Sequence, residues 1–255
     1  MFGSKALAGW WKFDEDDGNQ AIDSSGNANT GTLYNIDENS RLEGKFGKAL
    51  KFNGQNQYIS VKDSPNLSFG TNSLSISLWV KTKSGSIGMM IVNGSSGPPG
   101  SGKRYSLRYQ GNGMVTFVTD DNVIKSLVNS GNVHINDEKW HNIAAVRDRN
   151  SNILKLYIDG KQRSENHDDT GNIDSPGEPL YIGKDSEVDA TPGYVDGLLD
   201  DVRIFSYALS ADEAAALYAG ENIGGKRSNV LPVLVIFSVV AVIAAFSRRK
   251  KKASN

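Results

Sequence analysis

The chemistry available to this chain is oxygen chemistry. The acidic run Asp14-Glu15-Asp16-Asp17-Gly18 is followed by Asp23, and Asp200 stands beside Asp201 far along the sequence. A hard cation needs several oxygen ligands, carboxylates supplemented by backbone carbonyls, and these positions supply them. Asp200 alternates with Val202 and Ile204, so strand parity puts it on their face and largely buried. A carboxylate there requires a cation or backbone N–H groups as partner. The competing reading is an Asx turn at Asp23, backbone bonds at Asp200 and a solvated hairpin at the acidic run.

Other chemistries are poorly supplied. With no cysteine there are no disulfides, thiolate nucleophiles or Cys-bound zinc, and three histidines leave little for transition metals. His134, His141 and His167 have no Ser or Asp arrangement near them that singles out a triad. Gly97-Pro98-Pro99-Gly100-Ser101-Gly102-Lys103 fits the phosphate-loop pattern GxxxxGK. That loop requires Ser or Thr next, for magnesium, and then a helix N-terminus facing the phosphates. Position 104 is Arg and RYSLRYQ alternates as a strand, so a Gly/Pro-rich hairpin loop and no nucleotide are expected. Lys+Arg 28 against Asp+Glu 29 gives no net positive field to draw in nucleic acid.

The elements that must position these groups are short strands. In Ser73–Lys83, Leu74, Ile76, Leu78 and Val80 point one way while Ser75, Ser77, Trp79 and Lys81 point the other. Further strand runs are Arg104–Gln110, Met114–Thr119, Val123–Val128, His141–Arg147 and Ile153–Asp159. Gly111-Asn112-Gly113 and Asp159-Gly160 supply turns, because Gly and Asn tolerate positive φ. Many strands at short spacing without interleaved helices predict a sandwich or jelly roll. One helix is predicted late: Ser210-Ala211-Asp212-Glu213 is a capping box ahead of an Ala-rich run that Gly220 ends.

Beyond the polar stretch 221–229, Val230–Ser247 is an uncharged apolar run followed by Arg248, Arg249, Lys250, Lys251 and Lys252. About 17–18 residues is the low end of what spans a bilayer core, and the run lacks the polar stripe of a buried soluble helix. A single transmembrane helix at 230–247 is therefore expected, with 248–255 a basic cytoplasmic tail and the body outside. An exported body needs a leader, and Met1–Lys5 carries no apolar h-region, so the leader is expected upstream of Met1. A tail-anchored protein with a cytoplasmic domain is the alternative. The tail also resembles prokaryotic surface-sorting tails, although Gly224–Asn229 matches no sorting motif such as LPxTG.

Taken in order, the body segments resemble the laminin-G-like, concanavalin A-like jelly-roll family. Trp11-Lys12-Phe13-Asp14-Glu15 resembles the family's W-x-F-D-E opening, Asp23-Ser24-Ser25-Gly26-Asn27 its D-S-S-G-N turn, and Gly47–Phe52 its G-x-A-L-x-F strand. Ser77–Lys81, Trp140–Ala144, Leu156–Gly160 and Leu180–Gly183 match S-x-W-V-K, W-H-x-I/V-A, L-Y-x-D-G and L-x-I-G. Gly197–Phe205 with Ala208-Leu209-Ser210 matches the closing G-x-I-D-E-V-R-I-Y and A-L-S, with Asp201 where the family usually has Glu. The resemblance covers roughly residues 5–220. It implies an all-β, concanavalin A-like β-sandwich with one short C-terminal helix, ahead of the membrane span.

The resemblance also implies glycan or protein ligands and, in many members, a calcium ion, for which Asp14, Asp23 and Asp200 are the candidate ligands. Catalysis is not expected: the glucanase-type signature E-x-D-x-x-E begins at Glu187-Val188-Asp189, but Pro192 stands where its second Glu belongs. For a sugar, Trp79 and Tyr157 are candidate platforms by chemistry, as is Trp10 or Trp11. Burial of Trp79 under a covering layer is the favoured reading, because Trp is highly buried on average. Loops Asn93–Lys103 and Asp185–Tyr194 are candidate rims. The expected role is a membrane-anchored recognition or adhesion module on a prokaryotic cell surface. A glycan-active enzyme and a structural surface component are the competing classes.

Overall fold

Period-two runs dictate a layered architecture, because each strand has one apolar face to bury. The computed structural model describes residues 6–95, 102–186 and 193–223. Sixteen strands occur among them. They are β1 (Leu7–Trp11), β2 (Gln20–Ala21), β3 (Gly31–Tyr34), β4 (Arg41–Glu43), β5 (Lys48–Asn53), β6 (Tyr58–Val61), β7 (Leu74–Lys81) and β8 (Gly88–Gly94). Then follow β9 (Lys103–Tyr109), β10 (Met114–Asp121), β11 (Lys125–His134), β12 (Trp140–Asp148), β13 (Ile153–Ile158), β14 (Lys161–His167), β15 (Leu180–Ile182) and β16 (Asp196–Phe205). The helix α1 spans Ala211–Tyr218, and its capping box at Ser210 and Glu213 is present in both directions.

Two eight-stranded antiparallel sheets result. One runs β14-β13-β12-β7-β16-β5-β4, with β1 added beside β16; the other runs β11-β10-β9-β8-β15-β6-β3-β2. Leu74, Ile76, Leu78 and Val80 of β7 pack in the core between them, with Ile91, Leu107, Phe117, Leu180 and Ile182 of the facing sheet. The predicted parity of β7 holds. The outer face of that sheet is covered too: Ala144, Val146, Tyr157 and Phe205 of β12, β13 and β16 cluster with Leu7, Leu209 and the α1 residues Ala214 and Leu217. Each such aliphatic side chain contributes about 1.5–3 kcal/mol on full burial.

The flank where β11 lies beside β14 is stitched across the two sheets. Ser164 Oγ donates to Asn129 O, and Asn166 Nδ2 donates to Leu127 O at 2.8 Å. A buried ionic knot holds the chain after β14: Arg147 Nε and Arg149 Nη1 donate to Asp168 Oδ2 at 2.8 and 3.0 Å, and Thr170 Oγ1 donates to Asp168 Oδ1 at 2.6 Å.

By its contacts the chain divides into two units, Met1–Gly225 and Lys226–Asn255. No helix among the described residues is long and apolar enough to cross a membrane. The span expected at 230–247, its tail 248–255, most of the 221–229 stretch, residues 97–101 of the phosphate-loop-like segment and residues 187–192 lie outside the described residues. Lys103 and Arg104 open the strand β9, so a strand and not a helix follows the GxxxxGK pattern.

Candidate functional site

A cleft of about 200 Å³ lies on the outer face of the first sheet and is lined by Trp10, Lys12, Asp14, Phe46, Asp200, Asp201, Arg203 and Gly220. Its shape begins with an irregularity in β16. Asp200 pairs with Trp79 and Arg203 with Ser77, so Asp201 and Val202 together oppose the single Leu78. This is a β-bulge, and Asp201 takes φ +51° to make it. The bulge resets the alternation. Leu199, Val202 and Ile204 point into the core, while Asp200 and Arg203 share the outer face with their partners Trp79 and Ser77. The expectation that Asp200 shares a face with Val202 and Ile204 is therefore corrected; simple parity does not survive an extra residue.

The opposite wall is the turn from β4 to β5. Phe46 N donates to Asp200 Oδ2 and Lys48 N to Asp14 Oδ1, each at 2.9 Å. Two glycines make room for these carboxylates. A Cβ at Gly44 would lie 2.7 Å from Asp200 Oδ2, and one at Gly47, where φ is +56°, would lie 2.1 Å from Asp14 Oδ1. Asp14 itself is aimed by a second strained residue, Phe13 at φ +63°.

The three carboxylates of the cleft differ. Asp201 is committed: Trp10 Nε1 donates to its Oδ1 at 2.5 Å, and Arg203 grips it through Nε at 3.2 Å and Nη2 at 3.0 Å. Arg203 and Lys12 also lie 4.4 and 4.3 Å from the Trp10 ring centroid, so cations of the chain already engage that ring. Asp200 is fully buried, and its Oδ1 has no hydrogen-bond partner. Burial pushes its pKa up to about 7; the Phe46 N–H opposes the shift, and the charges of Asp201 and Asp14 add to it. Asp14 is exposed beside it.

Of the three candidate calcium ligands, the structure brings Asp14 and Asp200 to one cleft and places Asp23 elsewhere. Asp23 holds the N-terminal turn, accepting from Trp10 N at 3.0 Å and Ser25 N at 2.8 Å on Oδ1, and from Asn29 N at 2.8 Å and Ser25 Oγ at 2.9 Å on Oδ2. No group of three or more His, Cys, Asp or Glu among the described residues is arranged to hold a metal. Any cation in the cleft would therefore need backbone carbonyls beside Asp14 and Asp200.

Of the candidate sugar platforms, Trp11, Trp79 and Tyr157 are covered, Trp11 being 0% exposed. Trp79 is 1% exposed and Tyr157 3%. Trp79 lies under the Lys45 ammonium, 4.4 Å from its ring centroid, with the Phe46 ring edge-on and Tyr218 stacked, both at 5.8 Å. Tyr157 belongs to the cluster beneath α1. His141 bridges two acids, with Nδ1 2.8 Å from Asp159 Oδ2 and Nε2 3.0 Å from Asp137 Oδ1.

Phe46 and Tyr218, which pack on Trp79, are partly exposed, and a further exposed aromatic surface lies on the other sheet, where parity turns Tyr34, Tyr58 and Tyr181 outward from the core residues Leu33, Ile59, Leu180 and Ile182. Tyr34 and Tyr58 stack at 4.7 Å with planes 5° apart, and Tyr181 meets Tyr58 edge-on at 5.9 Å. Lys184 Nζ sits 4.4 and 4.1 Å from the ring centroids of Tyr58 and Tyr181. The sequence reading missed this cluster. Its signal is the aromatic residue on the outward position of three short strands, visible only once β15, β6 and β3 are known to be neighbours.

Two antiparallel sheets with crossed connections, a covering helix and a cleft on a bulged strand define a jelly-roll β-sandwich. The chain belongs to the concanavalin A-like lectin/glucanases superfamily, whose family model matches residues 53–215. It is 30% identical over 125 residues to a non-toxic nonhemagglutinin of Paraclostridium bifermentans, an alignment covering 47% of this chain and 10% of that protein. The binding domain of Paraclostridial Mosquitocidal Protein 1 superposes with TM-score 0.67 at 15% identity, over 84% of this chain and 52% of that one. Domain 4 of AbnA, a GH43 extracellular arabinanase from Geobacillus stearothermophilus solved with arabinotriose, superposes with TM-score 0.63 at 21% identity, over 85% of this chain and 100% of that one. The receptor binding domain of botulinum neurotoxin D gives TM-score 0.60 at 17% identity, over 84% and 52% of the two chains. At these identities the structural matches show the fold. The chain spans about a tenth of its curated relative and about half of the mosquitocidal binding domain.

Proposed function

We propose that this chain is a non-catalytic carbohydrate-recognition module, displayed outside a cell and tethered by the apolar run 230–247, with calcium held in the cleft. The observation that carries the non-catalytic reading is the state of the cleft's carboxylates. Glycoside hydrolysis needs two carboxyl groups free to act on one bond. Here Asp201 is held by Trp10 and Arg203, Asp14 accepts from Lys48 N on Oδ1 and is exposed, and the buried oxygen of the cleft without a hydrogen-bond partner is Asp200 Oδ1. One buried ligating oxygen suits holding an ion or ligand. Carbohydrate is favoured over protein because a domain of the same fold, matched along its whole length, was solved with an arabinotriose ligand.

The residues that would hold calcium are Asp200, through Oδ1, and Asp14. The ion would supply positive charge where three acids crowd, and Asp200 would be held as the carboxylate. Thermal melts of the full chain in detergent, with calcium or with EGTA, test this part. A raised melting temperature with calcium that Asp200→Asn abolishes is expected; saturation at 100 times Kd corresponds to about 2.7 kcal/mol. Identical melts remove calcium from the proposal. A glycan array with the same protein tests recognition, and release of reducing ends from polysaccharide would overturn the non-catalytic reading.

A further inference from the structure

We propose that Tyr34, Tyr58, Tyr181 and Lys184 form a binding face for a neutral saccharide, on the opposite side of the sandwich from the acidic cleft. This rests on the carbohydrate reading above and gives it a place. Tyr34 has one ring face packed on Tyr58 and is 42% exposed, which leaves its other face for a ligand. Tyr58, Tyr181 and Lys184 are half-buried beside it. Three phenols and an ammonium around an apolar ring face provide a stacking surface bordered by donors and acceptors. A sugar ring has the matching pattern, with C–H groups on its face and hydroxyls around its edge.

The stacking also makes the face rigid before any ligand arrives. Parallel contact fixes Tyr34 and Tyr58 against each other, and Lys184 lies over Tyr58 and Tyr181, so little side-chain freedom remains to be lost on binding. Charge decides which saccharide. Lys184 has Asp185 beside it, and Glu178 lies close enough to Tyr181 to act on its hydroxyl. The cluster therefore has no excess of positive charge to select a carboxylated or sulfated sugar, and binding is expected to be nearly insensitive to salt.

The test uses the full chain in detergent micelles on an array of neutral and acidic oligosaccharides that includes arabinotriose, followed by calorimetric titration with the best neutral binder. Tyr34→Ala is expected to weaken that binding about tenfold or more, the scale of one lost aromatic contact. Tyr58→Phe and Tyr181→Phe keep the rings and are expected to weaken it less, by loss of a hydroxyl. Val123→Ser, at an 84% exposed residue on the β10–β11 turn, serves as the control with unchanged binding. Glycan binding that all three tyrosine variants leave intact overturns this inference alone. Binding confined to acidic glycans and abolished by salt also overturns it. Failure of the wild-type chain to bind any glycan overturns this inference and the carbohydrate reading together.

Discussion

Asp200 and Asp201 are neighbours with different environments, and the same principle governs the other buried charges. Asp168 is buried with Arg147 and Arg149 on one oxygen and Thr170 on the other, which keeps it ionised. Replacing Asp168 with Asn leaves the fully buried Arg147 guanidinium without its counter-charge; a loss of roughly 3–5 kcal/mol is expected in urea melts. His141 behaves differently because it titrates. The hydrogen bond to Asp159, reinforced by Asp137, raises its pKa above the ordinary histidine value. A raised folded pKa gives stability that is complete below the unfolded value of about 6.5 and disappears as pH rises through the folded value. The melting-temperature gap between wild type and His141→Gln is expected to be wide at mildly acidic pH and to narrow above neutrality. A gap that does not change with pH would show that the bridge contributes only as neutral hydrogen bonds.

At the level of elements, the cleft is the product of one bulge and one turn. Gly47→Ala places a methyl against Asp14 in a backbone conformation that alanine disfavours. A loss on the order of 1–3 kcal/mol is expected in the melting curve, with loss of any calcium-induced shift. Most elements were legible from the residues. The alternation of β7, the Gly111–Gly113 hairpin and the Ser210 capping box all appear where local chemistry puts them. The ends of strands were less legible: β11 was read from Val123, but it starts at Lys125 and runs on to His134, because Asp121 Oδ1 accepts from the Val123 and Ile124 backbones at 2.8 and 2.7 Å and holds them in the turn. The facing of Asp200 was misread because alternation counts residues, and a bulge adds one without any mark in composition. Trp79 and Tyr157 are candidate platforms only until their cover is known: Lys45, Phe46 and Tyr218 lie over Trp79, and the cluster of Leu209, Ala214 and Leu217 over Tyr157, all from other parts of the sequence. The tyrosine cluster was illegible for a related reason. Residues 34, 58 and 181 meet only through strand register.

Across the whole molecule, the sandwich offers two separate surfaces, one acidic and bulged, the other aromatic. The superfamily assignment and the structural matches agree on this scaffold, and the tether is the part of the proposal that stands on sequence composition. Its check is biochemical: the full chain is expected to stay with membranes after an alkaline carbonate wash, and recovery in the supernatant would refute the anchor. The stitched flank between β11 and β14 has its own consequence for such a protein. Exposed strand edges invite neighbouring copies to zip together. By directing Ser164 and Asn166 onto the backbone of the other sheet, the molecule ties part of that margin to its own fold and leaves less of it open to a neighbouring copy.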